Sequence, residues 1–160
     1  MDFVLESTSF RSYGEIPQRH TCDGEDVSPP LSWRGVPAGT LSFALIVDDP
    51  DAPDPAAPQM VWVHWVVYNL PVGLQALPEG ASGNLPSPAV GGINDFHVQG
   101  WRGPCPPIGR HRYFHKLYAL DCVLDPVGEM TKPDLERLMI AHMLAKAELV
   151  GTYRRSDQPG

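Results

Sequence analysis

The chain has 160 residues, 42% of them apolar, and a formal net charge of −7. This length suits a single domain, residues 1–160, that buries a core without disulfides. The acidic balance argues against nonspecific binding to nucleic acid, which needs many phosphate contacts from Lys and Arg. The start of the chain lacks the basic and apolar stretches of a signal peptide, and no apolar run approaches membrane-spanning length. We therefore expect no stable membrane insertion.

Eighteen prolines and fifteen glycines leave little room for long helices, so the chain should be mostly β, with short strands joined by shaped turns. Stretches rich in β-branched and aromatic residues, bounded by Pro, Gly and Asp, predict buried strands. These strands are residues 41–47, 61–68 and 113–123. Residues 78–92, rich in Gly, Pro, Ser and Ala, are interpreted as a long surface loop.

One α-helix is predicted near the C-terminus, from about residue 132 to residue 150. Thr131 and Asp134 form a start that resembles a capping box, Pro133 lies in the first turn, and Gly151 can end the helix. Five residues can share one face: Leu135, Leu138, Met139, His142 and Leu149. We expect this helix to serve packing, with His142 a core or interface residue rather than a ligand.

The three cysteines, Cys22, Cys105 and Cys122, have no CxxC spacing. An odd number without that spacing indicates neither a full disulfide framework nor a structural zinc site. Reduced thiols fit best, and we expect a cytoplasmic protein. Cys105 lies in a locally basic segment that favours a thiolate, but most single cysteines in loops are inert, so redox sensitivity is a minor alternative.

Residues 96–120 carry four Lys or Arg, three histidines and no Asp or Glu. The formal charge is −9 for residues 1–95, +4 for 96–120 and −2 for 121–160. Opposite charge collected in a cleft draws in anionic ligands. The segment also contains rigid and titratable residues: Gly103, Cys105, Pro106, Pro107, His111 and Tyr113. We predict an anion site here in preference to an ordinary basic surface.

Two carboxylates and another histidine add to this prediction. Asp49 and Asp51 follow a predicted strand next to prolines that fix the direction of the chain. His64 interrupts an apolar strand, where a polar ring needs a partner or an opening to solvent. Each feature alone suits a structural role. Together with His111 and Tyr113, they predict two imidazoles and two carboxylates that converge at one end of the fold.

Such a constellation fits three classes of function. The first is an oxyanion pocket of His, Tyr and backbone N–H groups, in which the aspartates fix histidine tautomers or pair with an ammonium group. The second is a metalloenzyme with a two-His-one-carboxylate site of His64, His111 and one Asp, although these ligands lack a short diagnostic spacing. In the third, the pocket is secondary and the proline-rich loops bind a protein such as a protease or kinase. Nucleophilic hydrolysis has little support because no G-x-S-x-G motif is present.

Six motifs occur in order along nearly the whole chain: residues 28–33, 49–53, 64–65, 103–107, 111–113 and 151–153. Their sequences are SPPLSW, DPDAP, HW, GPCPP, HRY and GTY. Each motif is weak alone, but the combination is specific. The set resembles the phosphatidylethanolamine-binding protein family, and in it the bacterial Raf-kinase-inhibitor-like branch.

The resemblance implies a Greek-key antiparallel β sandwich with a small anion pocket at one end. It assigns the family's binding roles to the residues already singled out, and it adds Trp62 as an aromatic near the pocket mouth. The family is linked to phosphate-bearing head groups and to inhibition of kinases or serine proteases, without an agreed reaction. The resemblance therefore favours a binding or regulatory protein over an enzyme, with no cofactor, and it is compatible with a homodimer.

Two histidines depart from the pattern expected for the family. By strand alternation His115 faces the same way as His111 and Tyr113, so it either extends the pocket or faces solvent at a strand edge. His97 stands where glycine is usual. Our hypothesis is a pocket that binds a phosphate-containing or similar small anion, with the two aspartates orienting the histidines. The binding groups in this hypothesis are His64, His111 and Tyr113.

Overall fold

The computed structural model describes residues 2–126 and 128–156. In these residues eight strands form two antiparallel sheets, so the prediction of a mostly β chain is confirmed. The strands are β1 (Val4–Glu6), β2 (Leu31–Arg34), β3 (Ser42–Ala52), β4 (Met60–Pro71), β5 (Ala76–Leu77), β6 (Val90–Gly91), β7 (His111–Leu120) and β8 (Met143–Tyr153). The described residues also contain one α-helix, α1 (Lys132–Met139), and two 3-10 turns, Gln18–His20 and Ala81–Gly83.

The larger sheet has the strand order β6-β4-β3-β7-β8, and the smaller has the order β1-β2-β5. In the larger sheet β3, β4 and β6 are successive neighbours, and β7 returns to lie beside β3. This is the Greek-key arrangement. The sheets enclose one apolar core, to which β2 contributes Trp33 and β3 contributes Phe43 and Leu45. Helix α1 covers the outer face of the larger sheet, where Leu135 packs in a second core with Ile46.

The three predicted strands correspond to β3, β4 and β7, with different ends. Strand β3 continues five residues beyond Val47, so Asp49 and Asp51 lie within the strand rather than after it. The pairing of β3 with β4 shifts register between Asp49 and Ala52. Such an irregularity turns side chains away from strict alternation, and it occurs where the larger sheet carries its polar residues.

The predicted helix starts correctly and ends too late. The capping box of Thr131 and Asp134 is present, and the bond from Thr131 N–H to Asp134 Oδ2 measures 3.1 Å. Helix α1 nevertheless stops at Met139, and residues 143–153 form β8 along the whole length of β7. No helix in the described chain is long and apolar enough to cross a membrane.

The segment predicted as a surface loop, residues 78–92, takes part in the core and in the sheet. Ala81 is buried with the first core, and Val90 pairs with Tyr68 of β4. Ser82 N–H donates to the Ser28 hydroxyl at 3.2 Å. Most of the segment is irregular and exposed or half-buried, as expected of a surface loop, but Ala81 packs in the core and Val90–Gly91 form a short strand.

Residues 13–16 run along the outer edge of β8 and form backbone bonds with it. Tyr13 N–H donates to Val150 C=O at 2.6 Å, and Ile16 N–H donates to Thr152 C=O at 2.8 Å. Gly151 lies between these contacts, and a Cβ there would come within 2.5 Å of the Ile16 side chain. Gly151 thus permits close packing inside a strand. The prediction that it ends a helix was wrong.

Cys22 and Cys105 form a disulfide with a Cα–Cα distance of 5.4 Å. The expectation of reduced thiols was therefore wrong for two of the three cysteines, while Cys122 is free. The partners lie 83 residues apart, and their pairing depends on a fold that brings residues 22 and 105 together. The cytoplasmic location remains a prediction, without the support that reduced thiols would have given it.

Candidate functional site

A cavity of about 260 Å³ opens where β3 ends and where β4 and β7 begin. Its lining consists of Asp49, Ala52, Pro53, Met60, Trp62, His64, Phe96, Cys105, Pro106, Pro107, His111 and Tyr113. Of the ten predicted site residues, Asp51 and Gly103 lie outside this lining and the other eight belong to it. Antiparallel pairing explains the convergence, because the end of β3 lies beside the starts of both neighbouring strands.

His111 is fully buried and has an acceptor at each ring nitrogen. Its Nδ1 lies 2.6 Å from Asp49 Oδ2, and its Nε2 lies 2.8 Å from the Ile108 carbonyl oxygen. Since both partners accept, both nitrogens donate, and the ring is an imidazolium. Burial lowers its pKa, but the bonds to Asp49 and Ile108 and the nearby carboxylate charge outweigh burial and raise the pKa of His111. The imidazolium and the Asp49 carboxylate form a neutral pair in the wall, and the ring has no free N–H for a ligand.

His64 and Tyr113 supply an acceptor and a donor. The His64 Nδ1 donates to the Arg102 carbonyl oxygen at 2.6 Å, and burial lowers the pKa of His64, so the ring is neutral near pH 7 and its Nε2 accepts. Burial raises the pKa of Tyr113, which therefore keeps its phenolic proton. The two rings meet edge to face with their centroids 5.2 Å apart.

The sequence analysis predicted that Asp51 orients a histidine, but in the structure Asp51 binds Arg112 instead. Its carboxylate accepts from the backbone N–H of Arg112 at 2.8 Å and from the Arg112 guanidinium at 2.8 and 3.0 Å. Burial alone would raise the pKa of Asp51, but these bonds from Arg112 lower it. The backbone N–H of Asp51 in turn donates to Asp49 Oδ1 at 2.7 Å. Asp51 thus stabilises the strand beneath the cavity.

Gly103 supports the cavity from behind its wall. Its N–H donates to Asp26 Oδ1 at 2.9 Å, and a Cβ at this position would collide with the His20 carbonyl oxygen. The position therefore needs glycine for close packing, because no other residue type lacks a Cβ. This is a structural role next to the predicted binding loop.

The positive charge of residues 96–120 is largely neutralised by ion pairs, contrary to the prediction of an unpaired basic patch. Three of its four cations pair with carboxylates from other segments: Arg110 with Glu15, Arg112 with Asp51, and Lys116 with Asp48. Within residues 2–126 and 128–156, Arg102 forms no ion pair. Its guanidinium carbon lies 5.6 Å from the ring centroid of Phe96, a wall residue of the cavity. One exposed cation therefore remains next to the cavity.

A sequence model described as phosphatidylethanolamine-binding protein matches residues 6–154. The chain belongs to the phosphatidylethanolamine-binding protein family. A UPF0098 protein of Methanothermobacter thermautotrophicus is 50% identical over 153 residues, which cover 94% of this chain and 98% of that protein. A UPF0098 protein of Chlamydia trachomatis is 43% identical, with coverages of 94% and 98%.

Two solved structures of the family share the fold. The crystal structure of a putative phosphatidylethanolamine-binding protein homologue, CT736 from Chlamydia trachomatis, has a TM-score of 0.87 at 41% identity and covers 96% of this chain and 98% of its own. E. coli YbcL, described as a new member of the mammalian family, has a TM-score of 0.87 at 35% identity, with coverages of 98% and 100%. These likenesses confirm the predicted family and its fold.

The two atypical histidines do not line the cavity. His115 is fully buried between the rings of Phe10 and Trp101, so it neither extends the pocket nor faces solvent. Strand alternation correctly placed it on the inner face of β7, but that face continues into the core. His97 is exposed at a turn with a positive φ of 64°.

The sequence-based interpretation missed four lining residues: Ala52, Pro53, Met60 and Phe96. Ala52 and Pro53 belong to the Asp-Pro-Asp-Ala-Pro motif, which was a usable signal. Phe96 had none, because it reaches the cavity from a distant turn. It packs edge to face on Trp62 and on His64, with both centroid distances 5.5 Å.

The geometry argues against the predicted two-His-one-carboxylate metal site. Both nitrogens of His111 and the Nδ1 of His64 are already bonded to protein oxygens. In the described part of the chain, one group of three His, Cys, Asp or Glu side chains has its donor atoms within 4.8 Å of one another. That group is Asp121, Cys122 and His142, and it lies outside the cavity.

Proposed function

We propose that the cavity binds a small ligand with a phosphate or similar anionic group, and that the protein is a binding or regulatory protein rather than an enzyme. The observation that carries this proposal is that the neutral His64 ring, the Tyr113 phenol and the exposed Arg102 meet at one apolar cavity, whose wall contains the neutral His111–Asp49 pair. Catalysis has less support because His111 has no free nitrogen to exchange a proton and Cys105 is held in a disulfide.

The polar groups suit an anion that still carries one proton. A phosphate monoester has its second pKa near 6, so both its singly and doubly charged forms exist around neutral pH. The singly charged form donates its proton to the Nε2 of neutral His64 and accepts from the Tyr113 hydroxyl. The doubly charged form needs His64 to take up that proton first. Either route binds one proton together with the anion.

Asp49 does not suit an ammonium group, which was one element of the predicted pocket. Its Oδ2 accepts from His111 and its Oδ1 accepts from the Asp51 N–H. This carboxylate also offsets the charge of His111, so the buried pair is neutral overall. Arg102 is the cation left at the cavity, and the apolar wall suits an organic part of the ligand.

Titration with phosphate, O-phosphoethanolamine and a matched sulfonate tests this function, with Trp62 fluorescence and histidine chemical shifts as readouts. Tyr113→Phe removes one donor and retains the ring, so it should weaken binding by about 1 kcal/mol or more. Arg102→Gln should weaken binding, while Arg110→Gln, a cation paired with Glu15 away from the lining, should not. Unchanged affinity in the Tyr113 and Arg102 variants would contradict the proposal.

A second candidate function is inhibition of a kinase or serine protease by the surface around the cavity mouth. Met60, Val61 and Ile108 are about half exposed there. Exposed apolar residues grouped around a cleft are typical of protein-binding surfaces. Val61→Asp should abolish capture of such a partner and leave phosphate binding intact, whereas in an anion-dependent regulator Tyr113→Phe should weaken both functions.

A further inference from the structure

A second group of polar side chains lies between the end of β7 and the start of β8, where neither the anion cavity nor the disulfide reaches. One donor atom each from Asp121, Cys122 and His142 lies within 4.8 Å of the other two. The set joins a carboxylate oxygen, a thiol sulfur and an imidazole nitrogen. We propose that these three residues bind a divalent transition metal of the zinc type, with water at the fourth position.

The backbone holds the three residues in place. Asp121 N–H donates to the His142 carbonyl oxygen at 2.9 Å, and His142 N–H donates to the Met139 carbonyl oxygen at 2.8 Å. The carbonyl oxygen of Cys122 accepts from the Ser42 hydroxyl at 2.6 Å. Both segments are therefore fixed to the sheet and to helix α1, and metal binding needs only side-chain adjustment.

The required adjustment is small. Tetrahedral zinc with bonds of about 2.0 Å to N or O and about 2.3 Å to S places its ligand atoms about 3.5 Å apart. The donor atoms now lie within 4.8 Å of one another, so the largest of these distances must shorten by about 1 Å. The side chains of Asp121 and His142 are 45% and 43% exposed, so both can rotate freely toward a metal.

The Asp121 carboxylate already lies 2.8 Å from Nδ1 of His142, so these two donor groups are side by side before a metal binds. No Lys or Arg occurs in residues 117–124 or 138–145, so these segments contribute no cation that would compete with a metal. The surroundings are apolar instead, with Val123 and Ile140 exposed next to the group. Mixed N, S and O donors suit zinc and its neighbours, whereas Mg²⁺ and Ca²⁺ prefer oxygen alone.

The experiment uses the disulfide-intact protein, freed of metal by a chelator and titrated with Co²⁺ under argon. We expect saturation at one equivalent, with a thiolate-to-cobalt absorption band in the near ultraviolet that Zn²⁺ abolishes by displacement. Cys122→Ser should remove the band. His142→Asn should weaken binding at least about tenfold, since loss of an outer-shell partner alone costs that much.

His97→Asn is the matched control, because it removes an exposed histidine elsewhere and asparagine tolerates a positive φ. It should leave Co²⁺ affinity unchanged. Absence of the band in the wild type, its persistence in Cys122→Ser, or equal weakening by both histidine variants would each overturn the proposal. Alkylation of the Cys122 thiol in the folded protein replaces the serine variant if that variant does not fold.

Discussion

His111 and Asp49 form a buried charge pair whose members depend on each other. Both side chains are nearly inaccessible, so removal of one leaves an unpaired charge in the protein interior. Asp49→Ala should therefore lower the free energy of unfolding by about 3–5 kcal/mol, measured by urea denaturation. Glu6→Ala breaks an exposed pair with Arg34 and should cost less than about 1 kcal/mol. Equal effects of the two changes would contradict this account.

His115 should make the protein sensitive to acid. Burial lowers its pKa to about 4, whereas an unfolded histidine has a pKa near 6.5. The unfolded state therefore binds more protons between these values, and stability is lost as the pH falls from about 6.5 toward 4. From pH 7 to pH 5 this histidine should remove about 2 kcal/mol.

His115→Phe tests that contribution because phenylalanine retains a ring between Phe10 and Trp101. The loss of unfolding free energy from pH 7 to pH 5 should be smaller in this variant by about 2 kcal/mol, and unchanged in His97→Gln. Urea denaturation at both pH values gives the comparison. A wild-type loss equal to that of His115→Phe would show that the folded protein protonates His115 at pH 5 as readily as the unfolded chain does, and would contradict a lowered pKa.

Affinity for a phosphate monoester should fall as the pH rises above about 7. Burial lowers the pKa of His64, and the free ligand loses its proton near pH 6, so the proton of the complex must be taken up from solvent at higher pH. One coupled proton makes the decrease approach about tenfold per pH unit. Calorimetric titration at pH 6, 7 and 8 checks this, and an affinity that rises across the series would contradict it.

At the scale of elements, Gly151 lets residues 10–16 approach β8. A Cβ there would meet the side chains of Ile16 at 2.5 Å and Phe10 at 2.8 Å, so Gly151→Ala should cost about 1–3 kcal/mol by overpacking. Gly83 has open space around its Cβ position, and Gly83→Ala should have little effect on stability. Thermal unfolding of the pair gives the comparison, and a Gly151→Ala protein as stable as the wild type would contradict the close packing.

Strand β8 shows why the prediction of a helix up to residue 150 was wrong. Residues 143–150, MLAKAELV, are mostly good helix formers and follow a well-capped helix start. In the structure they pair with β7 from Leu120 to Phe114, and Ala147 and Leu149 face the inner core in strand alternation. Long-range pairing outweighs local propensity, and a single sequence does not reveal the partner strand. The capping box and the three long strands were predictable because their signals are local.

In the candidate site too, features with a local sequence signal were predictable and long-range contacts were not. The lining residues in short motifs, such as His64, His111 and Tyr113, were found from the sequence because each motif places polar chemistry in an apolar stretch. The partners were not predictable: Asp51 contacts Arg112 of another strand, and Cys22 joins Cys105 across 83 residues. Phe96 enters the wall from a turn whose position depends on the whole fold.

At the scale of the molecule, the Cys22–Cys105 disulfide joins two distant segments and forms part of the cavity wall. Closing a loop of 83 residues stabilises the native state by about 4.5 kcal/mol through restriction of the unfolded chain. Reduction should lower the unfolding free energy by roughly that amount and weaken phosphate binding, because the disulfide anchors the wall next to Pro106. Urea denaturation and ligand titration with and without dithiothreitol measure both effects.

The double change Cys22→Ser, Cys105→Ser should reproduce the effect of the reductant and make the protein insensitive to it. Cys122→Ser leaves the disulfide intact and should retain the response of the wild type. A reduced protein with unchanged stability and unchanged affinity would show that the wall is held by other contacts, such as the bond from Cys22 N–H to the Pro104 carbonyl oxygen at 3.1 Å.

The backbone bonds between residues 13–16 and β8 also bear on synthesis of the protein. A ribosome releases residues 13–16 long before residues 150–152, so the early segment emerges with its hydrogen-bonding groups facing water and its pairing strand not yet made. Strand β7 likewise emerges before β8, and one edge of it stays open during that interval. The larger sheet is therefore completed only after residue 153 has been translated, and until then β7 exposes an edge that can pair with another strand.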